Sequence, residues 1–169
     1  MADDLRSAPV PPVRQDDHVR GPQGGRLIVV YGDFTCPHCA TAHARLAARP
    51  QTCRIFRHFA LKAKDPRAPA LARAVEAAGA QGAFWAFHDA LYADQGRLDD
   101  PHLWARVREL GLDLDRFEHD RRSEAAAARV KRDTREGMRA GITTTPTLVV
   151  DGRLFPGAPA SAILDSFGY

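Results

Sequence analysis

The most constraining feature of the chain is an apolar run that ends just before a pair of closely spaced cysteines. Residues 27–31 read Leu-Ile-Val-Val-Tyr, a composition typical of a buried strand. The run breaks at residues 32–33, and Cys-Pro-His-Cys follows at positions 36–39. Alanine-rich helical sequence continues from 40 to 48. This order predicts that Cys36 lies at the start of a helix that follows a core strand.

A cysteine at a helix start is in an environment that favours its thiolate. The first backbone N–H groups have no partner within the helix, and the helix dipole is positive there. Cysteines in such places have pKa values lowered to roughly 3.5–7.5. Pro37 suits the first helical position, and His38 adds a second positive influence. We therefore expect an exposed, reactive Cys36 and a more buried Cys39 that closes a disulfide with it.

A second motif lies more than a hundred positions further along the chain. Residues 141–152 read Gly-Ile-Thr-Thr-Thr-Pro-Thr-Leu-Val-Val-Asp-Gly. Asp-Gly between β-rich segments is a strong hairpin signal, so two antiparallel strands are predicted around residues 151–152. Taken with the cysteine motif, this segment resembles the proline loop of the DsbA-like branch of the thioredoxin superfamily.

The resemblance implies an α/β thioredoxin fold and a thiol–disulfide oxidoreductase. Cys36 and Cys39 would form the redox-active disulfide exchanged with cysteines of protein substrates, and Pro37 and His38 would set its redox poise. It further implies a cis Thr145–Pro146 bond beside the cysteines, where these two residues bind an extended substrate segment. No cofactor and no metal are implied. A redox partner of unknown identity would recycle the pair.

The rest of the pattern predicts how the chain is divided. Residues 1–16 are polar and proline-containing and predict a mobile tail, with the thioredoxin-like domain over 17–169. A second core strand is predicted at about 53–59. Several helical patterns then run to about residue 138, where a minimal thioredoxin has one helix. We interpret residues 65–138 as an inserted α-helical subdomain between the second and third core strands, as in the DsbA-like branch.

The segment just before the first core strand carries a further resemblance. Residues 17–22, Asp-His-Val-Arg-Gly-Pro, are similar to the lead-in of a subgroup of these proteins. That subgroup includes stand-alone bacterial oxidoreductases and thioredoxin-like tails fused to some sodium/proton antiporters. An ordinary turn before the strand is the simpler interpretation, and the two are compatible.

Length and charge exclude several classes of protein. The 169 residues fit one domain with a substantial core. The formal net charge of +3 comes without a basic stripe interleaved with aromatics, so no nucleic-acid partner is expected. No apolar run approaches the ~20 residues that span a bilayer. The polar N-terminus has no signal-peptide pattern, which predicts a cytoplasmic location for the chain as written and an extracytoplasmic one for a processed form.

Other functions remain open at this point. A cytosolic disulfide reductase or isomerase would keep the fold and change the direction of exchange. A DsbA-like small-molecule isomerase, or a non-catalytic peptide-binding module, would make less use of the intact motif at 36–39. A zinc site of Cys36, Cys39, His38 and His43 is only weakly indicated, because one Cys-x-x-Cys without a second cluster is poor evidence for zinc.

Several single residues have two possible roles. Many thioredoxin-like enzymes carry a buried acid six residues before the first cysteine, where this chain has Val30. Asp33 is either a proton relay or, more simply, a turn residue. His43 is expected to be exposed and His88 to be a packed helix residue. Cys53 is interpreted as a small core residue rather than a third redox group.

Overall fold

A computed structural model describes residues 6–167, which contain five strands and seven helices. The strands are β1 (His18–Arg20), β2 (Leu27–Gly32), β3 (Cys53–His58), β4 (Thr147–Val150) and β5 (Arg153–Pro156). The helices are α1 (Pro37–Ala47), α2 (Ala68–Gly79), α3 (Phe84–Ala93), α4 (Asp100–Glu109), α5 (Leu114–Asp120), α6 (Glu124–Arg139) and α7 (Ser161–Ser166).

The strands form one sheet in the order β1-β3-β2-β4-β5. Strand β2 lies at its centre, parallel to β3 and antiparallel to β4, with Val30 opposite Phe56 on one side and Leu148 on the other. The apolar run of β2 fits this place, because a central strand is covered on both faces. The two-residue hairpin between β4 and β5 is confirmed: Asp151 and Gly152 both have positive φ, 50° and 76°.

Alternate residues of β2 face different layers of helices. Ile28 packs with Leu46 of α1 and Leu164 of α7 on one face. Tyr31 faces the other layer, where α6 approaches so closely that a Cβ on Gly137 would lie 3.1 Å from the Tyr31 ring. A side chain at position 137 would require the Tyr31 and Phe59 rings to shift by a few tenths of an ångström.

The five helices α2–α6 separate β3 from β4, which confirms the predicted thioredoxin fold with a helical insertion. Their shared core is continuous with the residues at the end of β2. Large, fully or nearly fully buried side chains carry it, namely Phe34, Phe56, Leu71, Val75, Phe84, Phe87, Leu91, Leu103, Val107 and Phe117. The insertion is therefore packed directly against the start of α1.

The N-terminal segment was predicted to be a mobile tail, and residues 6–16 contain no helix or strand. It lies against the domain: the Arg57 guanidinium donates hydrogen bonds to the carbonyls of Pro11 and Pro12, both at 2.8 Å. Arg14 pairs with Glu136 at 2.6 Å. Mobility of this tail stays a prediction, and residues 1–5 lie outside the described part of the chain.

Residues 18–20 form a strand, so interpreting them as an ordinary turn was wrong. Val19 pairs with Ile55 at the sheet edge. The strand is anchored by its neighbour Asp17, which accepts two hydrogen bonds from Arg57 at 2.8 and 3.1 Å. Both side chains of that ion pair are fully buried. Local sequence carries no sign of this pairing, because the partners are 40 positions apart.

The first turns of two helices in the insertion are held in different ways. Ser123 caps α6 by accepting a hydrogen bond from the N–H of Ala126. At α4 the N-cap position is Asp99, and the Asp100 carboxylate pairs with Arg67 and Arg121. Among the described residues, none of the helices has the length and apolar character needed to cross a membrane.

Candidate active site

The loop between β2 and α1 is shaped by one buried aspartate. Asp33 Oδ1 accepts hydrogen bonds from the N–H and the hydroxyl of Thr35, both at 2.9 Å. Its backbone carbonyl accepts from the N–H of Cys36 at 3.2 Å. Asp33 is therefore a turn residue in this structure, and burial raises the pKa of its carboxyl. Whether it also relays protons stays a prediction.

Cys36 occupies the N-cap of α1, and Cys39 lies one turn further along that helix. Cys36 is half-buried, whereas Cys39 is only 3% exposed. A hydrogen bond from the Cys39 thiol, together with those from the Thr145 side chain and the backbone N–H groups of Cys39 and His38, lowers the pKa of Cys36 to about 5. The hydrogen bond that the Cys39 thiol donates to Cys36, together with burial, raises the pKa of Cys39. The pair thus has one stabilised thiolate and one buried thiol.

The proline loop reaches this pair from the far side of the sequence. The Thr145–Pro146 bond is cis, as predicted. The Thr145 carbonyl oxygen lies 3.4 Å from Cys36 Sγ, within reach of a hydrogen bond from the Cys36 thiol. Gly157 N–H donates to the Pro146 carbonyl at 2.7 Å and secures the loop to the end of β5. The two motifs, 109 positions apart, meet at one sulfur atom.

Pro37 and His38 are both exposed on the first turn of α1. His38 acts on Cys36 through its backbone N–H, which is one of the hydrogen bonds that lower the Cys36 pKa. The expected tuning of the redox poise by these two residues stays a prediction.

Two side chains of the insertion that were not predicted as site residues hold the active-site loop. Gln95, just after α3, donates to the carbonyls of Phe34 at 2.8 Å and Cys36 at 3.0 Å. Tyr92 donates to the Asp33 carbonyl at 3.2 Å. The Phe34 and Tyr92 rings also pack together in a tilted arrangement, with ring centroids 4.9 Å apart. The position of Tyr92 on the apolar face of α3 could have indicated that it packs against the active-site loop. No sequence pattern indicates the same for Gln95.

The histidines of this region lie closer together than expected. His88 is packed, as predicted, but His43 is half-buried rather than exposed, with 19% of its side chain accessible. Their rings are 4.9 Å apart. His88 Nδ1 is 2.9 Å from Asp89 Oδ1, and His43 Nε2 is 3.5 Å from the same oxygen. His43 is drawn inward because α3 folds over α1.

Ligand atoms of His43, His88 and Asp89 lie within 4.8 Å of one another, and among the described residues this is the one such group. Both carboxylate oxygens of Asp89 already accept hydrogen bonds from Arg20, at 3.1 and 2.8 Å. Arg54 adds a second nearby positive charge that disfavours a cation. We interpret the group as two imidazoles beside a carboxylate whose ion-pair partner is Arg20. The two cysteines are not part of it.

Cys53 and Val30 lie near the active-site elements but contribute no reactive group to the cysteine pair. Cys53 is half-buried at the start of β3, where it pairs with Leu27 at the start of β2. Cys36 and Cys39 follow the opposite end of β2. Val30 is partly buried against the core and lines a small cavity next to Cys39. An apolar side chain therefore occupies the place where many thioredoxin-like enzymes have an acid.

A thioredoxin fold with a helical insertion, and a stabilised thiolate paired with a buried thiol beside a cis-proline, defines a thiol–disulfide oxidoreductase. Residues 56–166 match the model of the DSBA-like thioredoxin domain. The chain belongs to this family, whose members act on cysteine-containing substrates, and it is a DsbA-like thiol–disulfide oxidoreductase domain.

Solved structures agree with this assignment. A thioredoxin-like oxidoreductase from Silicibacter pomeroyi matches with a TM-score of 0.81 and 26% identity, over 91% of each chain. Pseudomonas aeruginosa DsbA2 matches with a TM-score of 0.71 and 28% identity, over 92% of this chain and 94% of that one.

Curated relatives are larger proteins that contain a similar segment. The "Na(+)/H(+) antiporter NhaA 1" of Salinispora arenicola is 40% identical over 155 residues, which cover 89% of this chain and 24% of that protein. The antiporter NhaA of Herminiimonas arsenicoxydans is 38% identical over 162 residues, 92% of this chain and 26% of that protein. The chain spans about a quarter of the length of these relatives.

Proposed function

We propose that this domain exchanges a Cys36–Cys39 disulfide with cysteines of protein substrates and acts mainly as an oxidant. The observation that carries the proposal is the Cys36 sulfur, whose pKa of about 5 keeps it ionised at neutral pH. A stabilised thiolate is a good leaving group and stabilises the reduced enzyme, so its disulfide is oxidising.

The exchange takes two steps. A substrate thiolate attacks Cys36 Sγ, the bond to Cys39 breaks, and a mixed disulfide forms between the substrate and Cys36. A second substrate thiolate then attacks the substrate sulfur of that bond, and Cys36 leaves as a thiolate. The substrate gains a disulfide, and the cysteine pair gains two electrons. A separate redox partner must remove these electrons before the next cycle.

We further infer that Thr145 and Pro146 bind the substrate. An extended peptide that pairs with the Thr145 backbone would add a strand beside the loop. Because the Thr145 carbonyl is 3.4 Å from Cys36 Sγ, a peptide aligned in this way brings its own cysteine next to Cys36. Pro37 and His38, exposed on the first turn of α1, would form the opposite side of that contact.

A glutathione redox titration of the pair tests the direction of exchange. We expect a reduction potential well above the cytosolic glutathione poise of about −220 to −260 mV. A potential at or below that range would contradict the oxidant role and favour a disulfide reductase.

Trapping in cells tests whether proteins are the substrates. Cys39→Ala should accumulate mixed disulfides with cysteine-containing proteins through Cys36, and Cys36→Ser should accumulate none. Peptide binding without thiol exchange by the unmodified protein would instead indicate a non-catalytic module.

A further inference from the structure

A small cavity opens beside the buried thiol of Cys39. Its volume of about 20 Å³ is enough for one water molecule, which needs roughly 10–15 Å³. Much of the wall is apolar, including Val30 and Phe56. The polar lining comes from Cys39, His43, Arg54, His88 and Tyr92. These side chains include the kinds of hydrogen-bond donor and acceptor that a buried water requires.

Cys39 needs a proton acceptor and has none in the usual place. To attack a mixed disulfide at Cys36, it must first lose its proton, yet it is only 3% exposed to solvent. Val30 cannot accept a proton. The Asp33 carboxylate is directed to the N–H and hydroxyl of Thr35 and does not line the cavity.

His43 lies where it can accept the proton of the Cys39 thiol. It follows Cys39 by four residues on α1, so the two side chains are neighbours on one helix face, with Cβ atoms about 5–6 Å apart. Both line the cavity. The His43 side chain is 19% exposed, which gives a proton a way out to solvent. Asp89 Oδ1, 3.5 Å from His43 Nε2, orients the ring and stabilises its protonated form.

Other groups on the cavity wall are less suitable. His88 has 4% side-chain exposure and its Nδ1 is engaged with Asp89, so a proton taken there would have no exit. Burial raises the pKa of Tyr92 well above its ordinary value, so Tyr92 keeps its proton. Burial lowers the pKa of His43, with Arg54 and Arg20 acting in the same direction, which leaves the imidazole neutral and able to accept a proton at pH 7.

The surroundings of His43 come from four elements. The charged and titratable groups that face it are Cys39 on its own helix, Arg20 on β1, Arg54 on β3, and His88, Asp89 and Tyr92 on α3.

We propose that His43 is the proton-relay residue for Cys39 and acts through a water molecule held in this cavity. The proposal rests on the disulfide exchange proposed above. In a mixed disulfide on Cys36, the Cys39 thiol passes its proton through the water to the His43 imidazole. The Cys39 thiolate attacks Cys36 Sγ, the Cys36–Cys39 bond forms, and the substrate sulfur leaves as a thiolate. In the reverse direction the imidazolium returns the proton as Cys39 is released.

The test separates the two cysteines by their order of reaction. The reduced full chain, carrying Cys53→Ser so that only the pair reacts, is mixed in stopped flow with one equivalent of dithiobis(nitrobenzoate). Attack by Cys36 releases one coloured thiolate, and attack by Cys39 on the resulting mixed disulfide releases the second. The first phase reports Cys36 and the second phase reports Cys39, each measured from pH 5 to 9.

We expect His43→Gln to leave the first phase unchanged. It should slow the second phase about 100-fold at pH 7, the lower end of what a general base contributes. In the parent protein the second phase should rise through an inflection below pH 6.5 and level off. In His43→Gln it should rise with hydroxide throughout. Added imidazole should restore the second phase in His43→Ala, which a merely structural role would not produce.

The matched control is His119→Gln, at an exposed position on α5, which should change neither phase. A second phase with the parent rate and pH profile in His43→Gln would overturn the relay. The relay would also be overturned if the pH inflection of the second phase disappeared in Asp33→Asn but persisted in His43→Gln. A slow, high-pKa first phase in the parent protein would overturn the disulfide exchange itself, and the relay with it.

Discussion

Gln95 donates a hydrogen bond to the backbone carbonyl of Cys36 at 3.0 Å, which joins the inserted subdomain to the residue that reacts first. The same amide group donates to Phe34 at 2.8 Å. A side chain from outside the thioredoxin core therefore helps to hold the turn that presents Cys36 at the helix start.

Replacing Gln95 should loosen that turn. Gln95→Leu removes the side-chain donor from the Phe34 and Cys36 carbonyls, of which Cys36 keeps its helical bond from the Cys39 N–H at 3.1 Å. We expect the loss at Phe34 to cost about 1–3 kcal/mol in the free energy of unfolding measured with urea. It should also raise the Cys36 pKa. Gln81→Leu is the matched control, because Gln81 also makes two backbone hydrogen bonds, to Asp113, inside the insertion. Equal effects of both variants on the Cys36 pKa would contradict the link.

The Cys36 pKa should depend on Cys39. The hydrogen bond from the Cys39 thiol is the largest influence that lowers the Cys36 pKa to about 5. Alkylation of the reduced protein should therefore reach half its maximal rate near pH 5, and in Cys39→Ala the midpoint should move upward. An ordinary midpoint near 8.5 in the parent protein would refute the stabilised thiolate.

The reduced protein should gain stability relative to the oxidised protein as pH rises. The folded pKa of Cys36 is about 5, below the value near 8.5 of an unfolded cysteine. The contribution of the Cys36 thiolate to the free energy of unfolding is fully present above about pH 8.5 and is lost as pH falls through 5. The melting temperature of the reduced protein minus that of the oxidised protein should thus increase from pH 5 to pH 8.5. A difference that stays constant over this range would be inconsistent with the pKa.

Two substitutions at His38 should separate its backbone from its side chain. His38→Pro removes the N–H that donates to Cys36 and the imidazole, whereas His38→Ala removes the imidazole alone. A hydrogen bond to a charged group contributes about 1.5–3 kcal/mol, or about one to two pKa units. We expect His38→Pro to raise the Cys36 pKa by about that amount and to lower the reduction potential. Titration of His38→Ala then shows what the ring adds. An unchanged potential in His38→Pro would exclude tuning by this residue.

Asp17 should be essential for stability. Asp17→Asn leaves the buried Arg57 guanidinium without its counter-charge, which typically costs about 3–5 kcal/mol. The neighbouring Asp16→Asn removes pairs of the half-exposed Asp16 carboxylate with Arg129 and Arg132 and should cost less than about 1 kcal/mol. Chemical denaturation of both variants gives the comparison. Similar small losses would show that Arg57 finds another partner.

The stability supplied by Asp17 should also be lost in acid. Burial opposes ionisation of Asp17, but the hydrogen bonds from Arg57 and the Arg14 backbone outweigh it and lower the pKa of the carboxyl. Its contribution is present above the unfolded pKa of about 3.9 and disappears as pH falls through the folded value. The free energies of unfolding of Asp17→Asn and the parent protein should therefore converge below pH 4.

Much of the fold was readable from local patterns. The apolar run of β2 and the two-residue turn at Asp151–Gly152 are signals carried by a few adjacent residues. Both lie where predicted, because strand and turn preferences arise from backbone geometry over a few residues. Local sequence did not identify residues 18–20 as a strand, because that strand depends on a buried ion pair with Arg57.

For the active site, the order of residues alone was enough to indicate the chemistry: two cysteines lie one turn apart at a helix start, and a proline loop resembles the one that accompanies such a pair. Tertiary structure decided what surrounds them. Gln95 at the Cys36 carbonyl, and His43 with Asp89 at the cavity beside Cys39, come together only when α3 folds over α1. Contacts between distant segments depend on how whole helices pack, and no short stretch of residues encodes that packing.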